Sequence, residues 1–397
     1  MHIPTRCAVT RIHLSVPHMS GRELGRVQRV LESGWVTTAG EEIRSLERAF
    51  ERMTGCPAVA LGNGTAALHL ATKLVGLSLS NRKRFVKEVV VPTLTFAATA
   101  NAVLYERWRP VFLDSCREDW GLDPQLLKEF LEARARENKL PMAVMVVHLF
   151  GQCADMDPIL EVCRRYGVFV IEDAAECLGA RYKGRVPGSI GDIGVYSFNG
   201  NKVITGGGGG MLVSPNAAWV EKARFWSTQA RDNDPEGLHN YVHSELGYNY
   251  RMSNVLAAIV LAQLEVLDLR VQQRRAVALR YRDAFADLPG IELMPQAPDR
   301  LHTNWLSCFL IDETKFGMSA ADLIRFLDAA NVEARPVWRP MHMQPLYRKC
   351  ECVGGAVAED LHRRGLCLPS SSCLTEDQQQ FVIERVREAH FKAKGRK

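Results

Sequence analysis

The first two thirds of the chain alternate short apolar runs with segments of helical periodicity, and this alternation is the strongest constraint on its fold. The runs are rich in Val, Ile, Leu and Phe and have few of the alternating polar positions of a half-exposed strand. Strands buried on both faces are typical of parallel sheets covered by helices. The pattern therefore predicts an α/β domain with a mainly parallel sheet. The predicted strands cover residues 88–91, 110–114, 144–149, 168–171, 194–198 and 210–214.

A change of pattern marks a second unit toward the carboxyl end. Helical periodicity over 253–288 ends at Pro289 and Gly290, two residue types that interrupt helices. We place the boundary inside this helical pattern, which predicts a large α/β domain over 1–265 and a smaller α+β domain over 266–397. The elements predicted for the smaller domain are strands at 302–311 and 332–335 and helices at 319–330 and 375–393.

Hydropathy argues against a membrane protein. The most apolar long segment, 255–267, is interrupted by Gln263 and Glu265 and is shorter than the ~20 residues that a spanning helix needs. The amino-terminal segment carries Arg6 and Arg11 where a secretory signal needs an apolar block. We therefore expect no membrane span, no export signal and a cytoplasmic location.

Charge and cysteine usage exclude two further classes. The formal net charge of +5 comes from basic residues scattered along the chain, so no nucleic-acid-binding stripe is predicted. The eleven cysteines include no Cys-x-x-Cys pair. The closest two, Cys350 and Cys352, have no second pair and no histidines at zinc-ligand spacing. We therefore predict reduced thiols and no metal site.

Polar residues with chemical potential lie where the predicted strands end. Asp173 follows one strand, and Ser197 and Lys202 follow the next. A small-residue turn at Gly64 and Thr65 leads into an apolar helix, whose amino terminus suits a phosphate group. In open α/β sheets ligands bind at the carboxyl ends of the strands. These residues are therefore predicted to share one site.

Each of these signals alone has an ordinary structural explanation. An aspartate after a strand often caps a helix, and the glycine run 206–210 lacks both the GxGxxG and the GxxxxGK[ST] pattern. Their order is more informative. A glycine turn before a helix, a strand-terminal aspartate, and a serine (197) shortly before a lysine (202) are together typical of enzymes that use pyridoxal 5′-phosphate (PLP).

Five ordered motifs resemble the DegT/DnrJ/EryC1/StrS family of sugar-nucleotide aminotransferases, and the likeness extends from residue 12 to residue 369. The resemblance implies an aspartate aminotransferase-like fold (PLP fold type I), with a mainly parallel seven-stranded sheet in the large domain and a smaller carboxyl-terminal α+β domain. The motifs are SGWVTT at 33–38, NGTAALHL at 63–70, IEDAAE at 171–176, SFNGNK at 197–202 and LGYNYRMSN at 246–254.

The resemblance also implies roles for single residues. Lys202 is the catalytic residue, which binds the cofactor covalently and then moves a proton between the amino donor and the cofactor. Asn249 reaches the cofactor phosphate from the neighbouring subunit, which implies a homodimer with shared active sites. Glu176 stands where many members have Gln or His beside the phenolic oxygen of the cofactor. The implied PLP-binding residues are Gly64, Thr65 and Ser197 at the phosphate, Phe96 on the ring face, Asp173 at the pyridine nitrogen, Ala66, Glu176, Lys202 and Asn249.

The implied reaction moves an amino group from L-glutamate to a nucleotide-linked keto-deoxysugar, with pyridoxamine phosphate as the alternate cofactor form. Segments 225–231 and 335–342 resemble the branch that aminates C4 of UDP-linked 2-acetamido-4-keto-2,6-dideoxyhexose, as in bacillosamine and legionaminic acid pathways. The residues expected to line the substrate site are Trp35, Thr37, Gln229, Arg231, Trp305, Arg335 and His342.

Three alternatives stay open or are disfavoured at this point. A GDP- or dTDP-linked keto sugar would need the same catalytic residues, so the nucleotide, the keto position and the stereochemistry are undetermined. A cofactor-binding regulator without turnover is disfavoured because Lys202, Asp173 and Ser197 are all present. A dehydratase of the same family is disfavoured because such members replace the lysine with histidine.

Overall fold

The computed structural model describes residues 11–79, 82–238 and 240–395. Most of the amino-terminal segment that bears on an export signal, residues 1–10, lies outside these ranges. Among the helices described, none combines the length and the apolar character needed to cross a bilayer. No group of three or more His, Cys, Asp or Glu side chains in the described ranges could hold a metal ion.

Strands and helices alternate along the first two thirds of the chain, as predicted. The strands are β1 (Ala58–Leu61), β2 (Phe85–Pro92), β3 (Arg109–Leu113), β4 (Leu140–Val147), β5 (Phe169–Asp173), β6 (Arg181–Tyr182), β7 (Ile193–Ser197), β8 (Gly210–Val213), β9 (Ile291–Leu293), β10 (Arg300–Leu301), β11 (Ser307–Ile311), β12 (Arg335–Pro336), β13 (Cys352–Val353) and β14 (Gly365–Leu368). The helices are α1 (Glu23–Ser33), α2 (Glu41–Thr54), α3 (Gly64–Leu79), α4 (Ala97–Tyr105), α5 (Pro124–Arg136), α6 (Met156–Tyr166), α7 (Ala217–Ser227), α8 (Asn254–Leu264), α9 (Leu267–Ala284), α10 (Glu313–Phe316), α11 (Ala320–Ala329), α12 (Ala356–Arg364) and α13 (Glu376–Gly395).

Eight strands of the described chain form the large sheet, in the order β1-β8-β7-β5-β4-β2-β3-β13. All neighbours pair in parallel except β8, which is antiparallel to both β1 and β7. The mainly parallel sheet is confirmed. Seven of its strands come from residues 58–213, in keeping with the seven expected of the large domain. The eighth is β13, a two-residue segment of the carboxyl-terminal part that pairs with β3.

Two other differences from the sequence-based expectations have local causes. Strand β1 has only four residues, too short to separate from its flanking helices by periodicity. The helical pattern predicted over 253–288 is two helices, because α8 ends at Leu264 and α9 begins at Leu267. The proposed domain boundary at 265 coincides with this break, and the boundary itself stays a prediction.

A smaller antiparallel sheet, β12-β14-β11-β9, occupies the carboxyl-terminal part. It packs with α9, α11 and α13 around a second buried cluster that includes Tyr281, Phe309 and Leu323. Ile12, close to the start of the described chain, is buried in this cluster and pairs with Val332. The smaller core is therefore completed by an amino-terminal residue.

Asp114, directly after β3, fastens the carboxyl-terminal part to the large sheet. Its carboxylate accepts hydrogen bonds from the backbone N–H groups of Gly355 (2.6 Å), Val357 (3.0 Å) and Ala358 (2.9 Å) at the start of α12. A carboxylate at a helix amino terminus satisfies orphan N–H donors and interacts favourably with the helix dipole. This cap lies beside the pairing of β13 with β3.

Asp114→Ala should lower the free energy of unfolding by about 2 kcal/mol, because two buried N–H groups and one half-buried N–H group lose their acceptor. Urea unfolding followed by circular dichroism measures the change. The matched control is Asp123→Ala, which removes a cap on two N–H groups of α5 within the large domain, and about 1 kcal/mol is expected there. A smaller loss for Asp114→Ala than for the control would contradict the anchoring role.

Candidate active site

A pocket of about 270 Å³ lies where β5 and β7 end and α3 begins. It is therefore at the carboxyl edge of the large sheet, the position expected for ligands of this fold class. Eight of the sequence-predicted residues lie together in its wall: Gly64, Thr65, Phe96, Asp173, Glu176, Ser197, Lys202 and Trp305.

The amino terminus of α3 forms one end of the pocket. Gly64 and Thr65 open the helix, so their N–H groups have no partner within it. Ser197 lies against Gly64 so closely that a Cβ on residue 64 would stand 3.0 Å from the Ser197 Cβ. The two N–H groups, the helix dipole and the nearby hydroxyl suit a phosphate group.

Ala66 does not line the pocket. Its backbone N–H donates to the side-chain oxygen of Asn63 at 2.8 Å, so Asn63 is the helix cap. The predicted contact of Ala66 with the cofactor stays a prediction. Asn63 itself lines the pocket, and the motif that begins with it could have indicated this capping role.

Asp173 ends β5 with its carboxylate buried in the pocket wall. The Thr99 hydroxyl donates to Oδ2 at 2.8 Å, and the Ala175 N–H donates to Oδ1 at 3.2 Å. Burial raises the pKa of this carboxyl, while these donors and the Lys202 ammonium oppose the increase. A cation bound in the pocket would further favour the charged carboxylate.

Lys202 lies in the loop after β7, and its ammonium faces the pocket. Nζ is 3.8 Å from Glu176 Oε1 and 4.1 Å from the centroid of the Trp305 ring. The indole N–H of Trp305 donates to the carbonyl of Asn201 at 2.7 Å, which holds the residue next to the lysine. Trp305 is predicted to line the substrate site, and the structure places its ring beside the Lys202 amine.

Arg274 of α9 holds the same loop from behind, and sequence reasoning did not identify it. The guanidinium donates to the carbonyls of Trp305 (2.7 Å), Ser370 (3.0 Å) and Lys202 (3.5 Å), and to the Ser15 hydroxyl (3.2 Å). Its helical position within a charge-rich segment gave no signal of burial.

Glu176 is buried, and one of its oxygens is held by the backbone. The Phe150 N–H donates to Oε2 at 2.8 Å, while Oε1 faces Lys202. Burial raises the pKa of this carboxyl, and Lys202 opposes that increase most strongly. The backbone of Phe150, which donates this hydrogen bond, lies in the left-handed region with φ of 54°. This conformation is energetically unfavourable for a bulky residue. The carboxyl therefore has a fixed orientation and a reduced tendency to ionise.

Two aromatic rings stand at the opening of the pocket. Phe96 is 55% exposed, and its ring centroid is 5.6 Å from that of Trp338. Trp338 also stacks on Phe150, with centroids 5.7 Å apart and planes 26° from parallel. Trp338 was not among the predicted site residues, although the segment 335–342 was singled out for its resemblance.

The other predicted residues do not line this pocket of the same chain. His342 is held by Thr93 Oγ1 (2.6 Å from Nδ1) and Glu359 Oε1 (3.0 Å from Nε2), so its two ring nitrogens have structural partners. Trp35 and Thr37 accept hydrogen bonds from Asn254 through their carbonyls. The remaining ones, all exposed, are Gln229, Arg231, Asn249 and Arg335.

Comparison with known proteins decides the family. The model of the DegT/DnrJ/EryC1/StrS aminotransferase family matches residues 17–387. The chain belongs to this family. EpsN of Bacillus subtilis, provisionally named a pyridoxal phosphate-dependent aminotransferase, is 45% identical over 379 residues, which are 94% of each chain. A GDP-perosamine synthase of Caulobacter vibrioides is 38% identical over 377 residues, 94% of this chain and 96% of that one.

Solved structures of DegT/DnrJ/EryC1/StrS aminotransferases share the fold. The Brucella abortus member superimposes with a TM-score of 0.82 and 25% identity, covering 93% of this chain and 95% of that one. Helicobacter pylori PseC, described as an aminotransferase of pseudoaminic acid biosynthesis, gives a TM-score of 0.87 over 96% of this chain and all of that one, at 22% identity. The predicted fold type, the enzyme class and the PLP cofactor are confirmed.

The pocket of this DegT/DnrJ/EryC1/StrS aminotransferase fits PLP by its own chemistry. The Gly64 and Thr65 amides with Ser197 suit the phosphate, Asp173 suits the pyridine nitrogen, and Lys202 supplies the amine for the aldehyde. Bound PLP supplies an electron-accepting ring that stabilises negative charge at the carbon attached to the transferred nitrogen. With PLP bound, Asp173 would place a negative charge beside the ring nitrogen, and Lys202 Nζ would be placed to hold and move a proton.

Gly64→Ala should weaken PLP binding by about tenfold, because the new methyl group would push Ser197 away from the helix amino terminus. Titration of the cofactor-free protein with PLP, followed by absorbance, gives the dissociation constant. Gly200→Ala, in the loop after β7, is the matched control, since a Cβ there meets nothing within 4 Å. Equal affinities for both variants would contradict the phosphate assignment.

Asp173→Asn should stabilise the cofactor-free enzyme at about pH 7 while weakening PLP binding. Burial raises the folded-state pKa of Asp173, so between the unfolded and the folded pKa the folded protein retains a proton that the unfolded chain has released. Stability therefore falls as pH rises through that interval and stays lower above it. The substitution removes that loss, worth about 1 kcal/mol per pKa unit. Urea unfolding should show that the extra stability of Asp173→Asn over wild type shrinks toward about pH 4, where the carboxyl of the unfolded chain also becomes protonated. Extra stability that does not depend on pH would contradict a raised pKa of Asp173 as its cause.

Proposed function

We propose that this enzyme transfers an amino group from L-glutamate to the C4 keto carbon of UDP-linked 2-acetamido-2,6-dideoxyhexos-4-ulose, giving the UDP-linked 4-amino-4,6-dideoxy-N-acetylhexosamine. Family membership carries the coarser statement that it is a sugar aminotransferase. The main structural support is the placement of the Lys202 amine beside Glu176 and Trp305 in a pocket that also contains Asp173. The resemblance of segments 225–231 and 335–342 supports the UDP-linked sugar.

The residues of the chain divide the work between binding and proton transfer. Lys202 Nζ removes the proton from the α-carbon of the donor. It later delivers a proton to the sugar carbon that bears the new amino group. Asp173 keeps a positive charge on the ring nitrogen favourable. Phe96 and Trp338 flank the opening and exclude water from one side.

The proposal includes a homodimer in the cytoplasm. Asn249 is exposed and does not line the pocket of its own chain, as expected for a residue that completes the site of a neighbouring subunit. The same segment exposes Tyr241 (75%) and Leu246 (71%), apolar side chains suited to burial in an interface. Gln229 and Arg231, which flank this segment, would then reach substrate in the partner's site.

A GDP-linked 4-keto sugar is the second candidate substrate. Three of the relatives are GDP-perosamine synthases, 33 to 38% identical to this chain. The pocket residues that surround Lys202 contact the reacting part of a substrate and not its base, so they suit both candidates.

The decisive experiment follows the absorbance of the PLP-loaded enzyme. Addition of L-glutamate should remove the visible band of lysine-bound PLP, and the UDP-linked 4-keto-6-deoxy-N-acetylglucosamine should restore it. A GDP-linked 4-keto-6-deoxyhexose, added in parallel, should restore it at least about tenfold more slowly, because a site that contacts the base discriminates by a kcal/mol or more.

Lys202→Ala is the control for the chemistry, with turnover expected to fall by about 10³-fold or more. Recovery by the GDP-linked sugar alone would replace the UDP proposal with the second candidate. If L-glutamate removes the visible band of lysine-bound PLP and neither sugar restores it, both proposed substrates are rejected.

A further inference from the structure

A buried histidine of α3 lies outside the PLP pocket and has two polar partners. His69 is 4% exposed, with Nε2 2.9 Å from Glu106 Oε1 and Nδ1 3.2 Å from the Tyr250 hydroxyl oxygen. A carboxylate can only accept a hydrogen bond, so the proton of a neutral imidazole belongs on Nε2, and Nδ1 then accepts from Tyr250. One tautomer therefore satisfies both contacts and fixes the ring between α3, the end of α4 and residue 250.

Two tyrosine rings pack against this imidazole. The rings of Tyr248 and Tyr250 stack with centroids 4.8 Å apart and planes 13° from parallel. Both meet His69 edge-on, at centroid distances of 5.0 and 5.8 Å. Lys73 follows His69 by one helical turn on α3, and its Nζ is 5.6 Å from the centroid of the Tyr248 ring. One face of α3 therefore holds both tyrosines.

Asn249 lies between these tyrosines in an extended segment, where it forms an antiparallel bridge with Thr228. Successive side chains of an extended segment point to opposite sides. The exposures agree with this rule, because Tyr248 and Tyr250 are half-buried and Asn249 is exposed. The side on which α3 holds the tyrosines thus determines the opposite side, toward which Asn249 projects.

Backbone hydrogen bonds hold the segment at its edges. The N–H of Tyr248 donates to the Trp226 carbonyl at 2.7 Å, and that of Tyr250 donates to the Ser227 carbonyl at 2.9 Å. Such bonds run sideways between neighbouring segments, whereas side chains stand above and below them. The tilt of the segment about its own axis therefore depends on side-chain packing, and His69 contacts both tyrosine rings.

We propose that His69 is a positioning residue for the PLP site of the neighbouring subunit. By holding Tyr248 and Tyr250, it directs Asn249 outward to the phosphate of the cofactor bound by the partner chain. The inference rests on the homodimer of the proposed function, in which each site takes Lys202 from one chain and Asn249 from the other.

An effect of His69 on the pocket of its own chain is the competing explanation, because α3 also opens at that pocket. The contacts favour the tyrosine route, since neither Glu106 nor Tyr250 lines the pocket. The start of α3 is held instead by the Asn63 cap on the Ala66 N–H. The two explanations place the affected PLP in different subunits, which makes them separable by experiment.

Titration of the cofactor-free protein with PLP, followed by the visible band of lysine-bound PLP, measures the effect. His69→Ala and Asn249→Ala should each weaken PLP binding about tenfold, because each loses a hydrogen bond to a charged phosphate. The double variant should bind PLP no more weakly than either single variant, since both changes remove the same contact. A further loss in the double variant, or unchanged affinity in His69→Ala, would overturn the inference.

Conservative variants separate positioning from a general weakening of α3. His69→Gln should bind PLP like wild type, because its amide has a donor for Glu106 and an acceptor for Tyr250. Tyr250→Phe keeps the ring and loses the hydroxyl, so a loss of about threefold is expected. Thr72→Ala is the matched control, a buried position of the same helix whose hydroxyl bonds the Leu68 carbonyl, and it should bind PLP like wild type. An equal loss in Thr72→Ala and His69→Ala would count against positioning.

Mixed dimers decide which subunit depends on His69. A dimer of one Lys202→Ala chain and one His69→Ala chain, isolated with two affinity tags, has one site that can form lysine-bound PLP. That site receives Asn249 from the chain with an intact His69, so its band should titrate with wild-type affinity. An affinity as weak as that of the His69→Ala homodimer would overturn the inference, because His69 would then act within its own chain.

The shared-site homodimer is tested separately by pairing Lys202→Ala with Asn249→Ala. Wild-type affinity in this dimer, together with weak affinity in the His69→Ala dimer, would reject the role of His69 and leave the homodimer intact. Weak affinity in the Asn249→Ala dimer would reject the shared site and the role of His69 with it. Neither result bears on the sugar substrate, which the recovery of the visible band by keto sugars tests.

Discussion

The geometry of the loop that carries Lys202 depends on the buried guanidinium of Arg274, which pairs with no carboxylate of the described residues. Arg274 is 1% exposed and bonds oxygen atoms from the amino-terminal segment, the lysine loop, the approach to β11 and the end of β14. Burial lowers the pKa of Arg274 to about 10, so the group is still charged at neutral pH. Charge-assisted bonds to several carbonyls offset much of its desolvation cost. Four distant parts of the chain must therefore be in place before the loop of Lys202 is correctly shaped.

Glu176 stands where the resemblance leads us to expect Gln or His, and its surroundings limit the negative charge that it brings. A charged carboxylate there would repel a phenolic oxygen, yet burial raises its pKa and the Phe150 N–H fixes one of its oxygens. The N–H of Phe150 points at Glu176 because the backbone of Phe150 adopts a left-handed φ, which is a strained conformation for this residue. The fully buried Phe150 ring packs against Trp338, which supports this backbone conformation.

The predictable part of the site is the part built from strand ends. Asp173, Ser197 and Lys202 follow buried strands, and Gly64 begins a helix, so local pattern and sheet topology together brought them to one edge. The N–H group of Ala66 donates to the side chain of Asn63, a cap that the sequence motif itself contains. Arg274 and Trp338 reach the site only through tertiary packing of the carboxyl-terminal part, for which the sequence has no periodic signal. Short β13 was missed for the same reason.

The connectivity of the two sheets has a consequence for how the protein can be divided. Ile12 lies in the core of the smaller sheet, while β13 and the Asp114 cap attach a late segment to the edge of the larger one. A cut at residue 265 would leave the large sheet with an exposed edge at β3 and the smaller core with a missing apolar side chain. Each half therefore needs a segment that lies in the other half, and separate expression of either half would yield an incomplete folding unit.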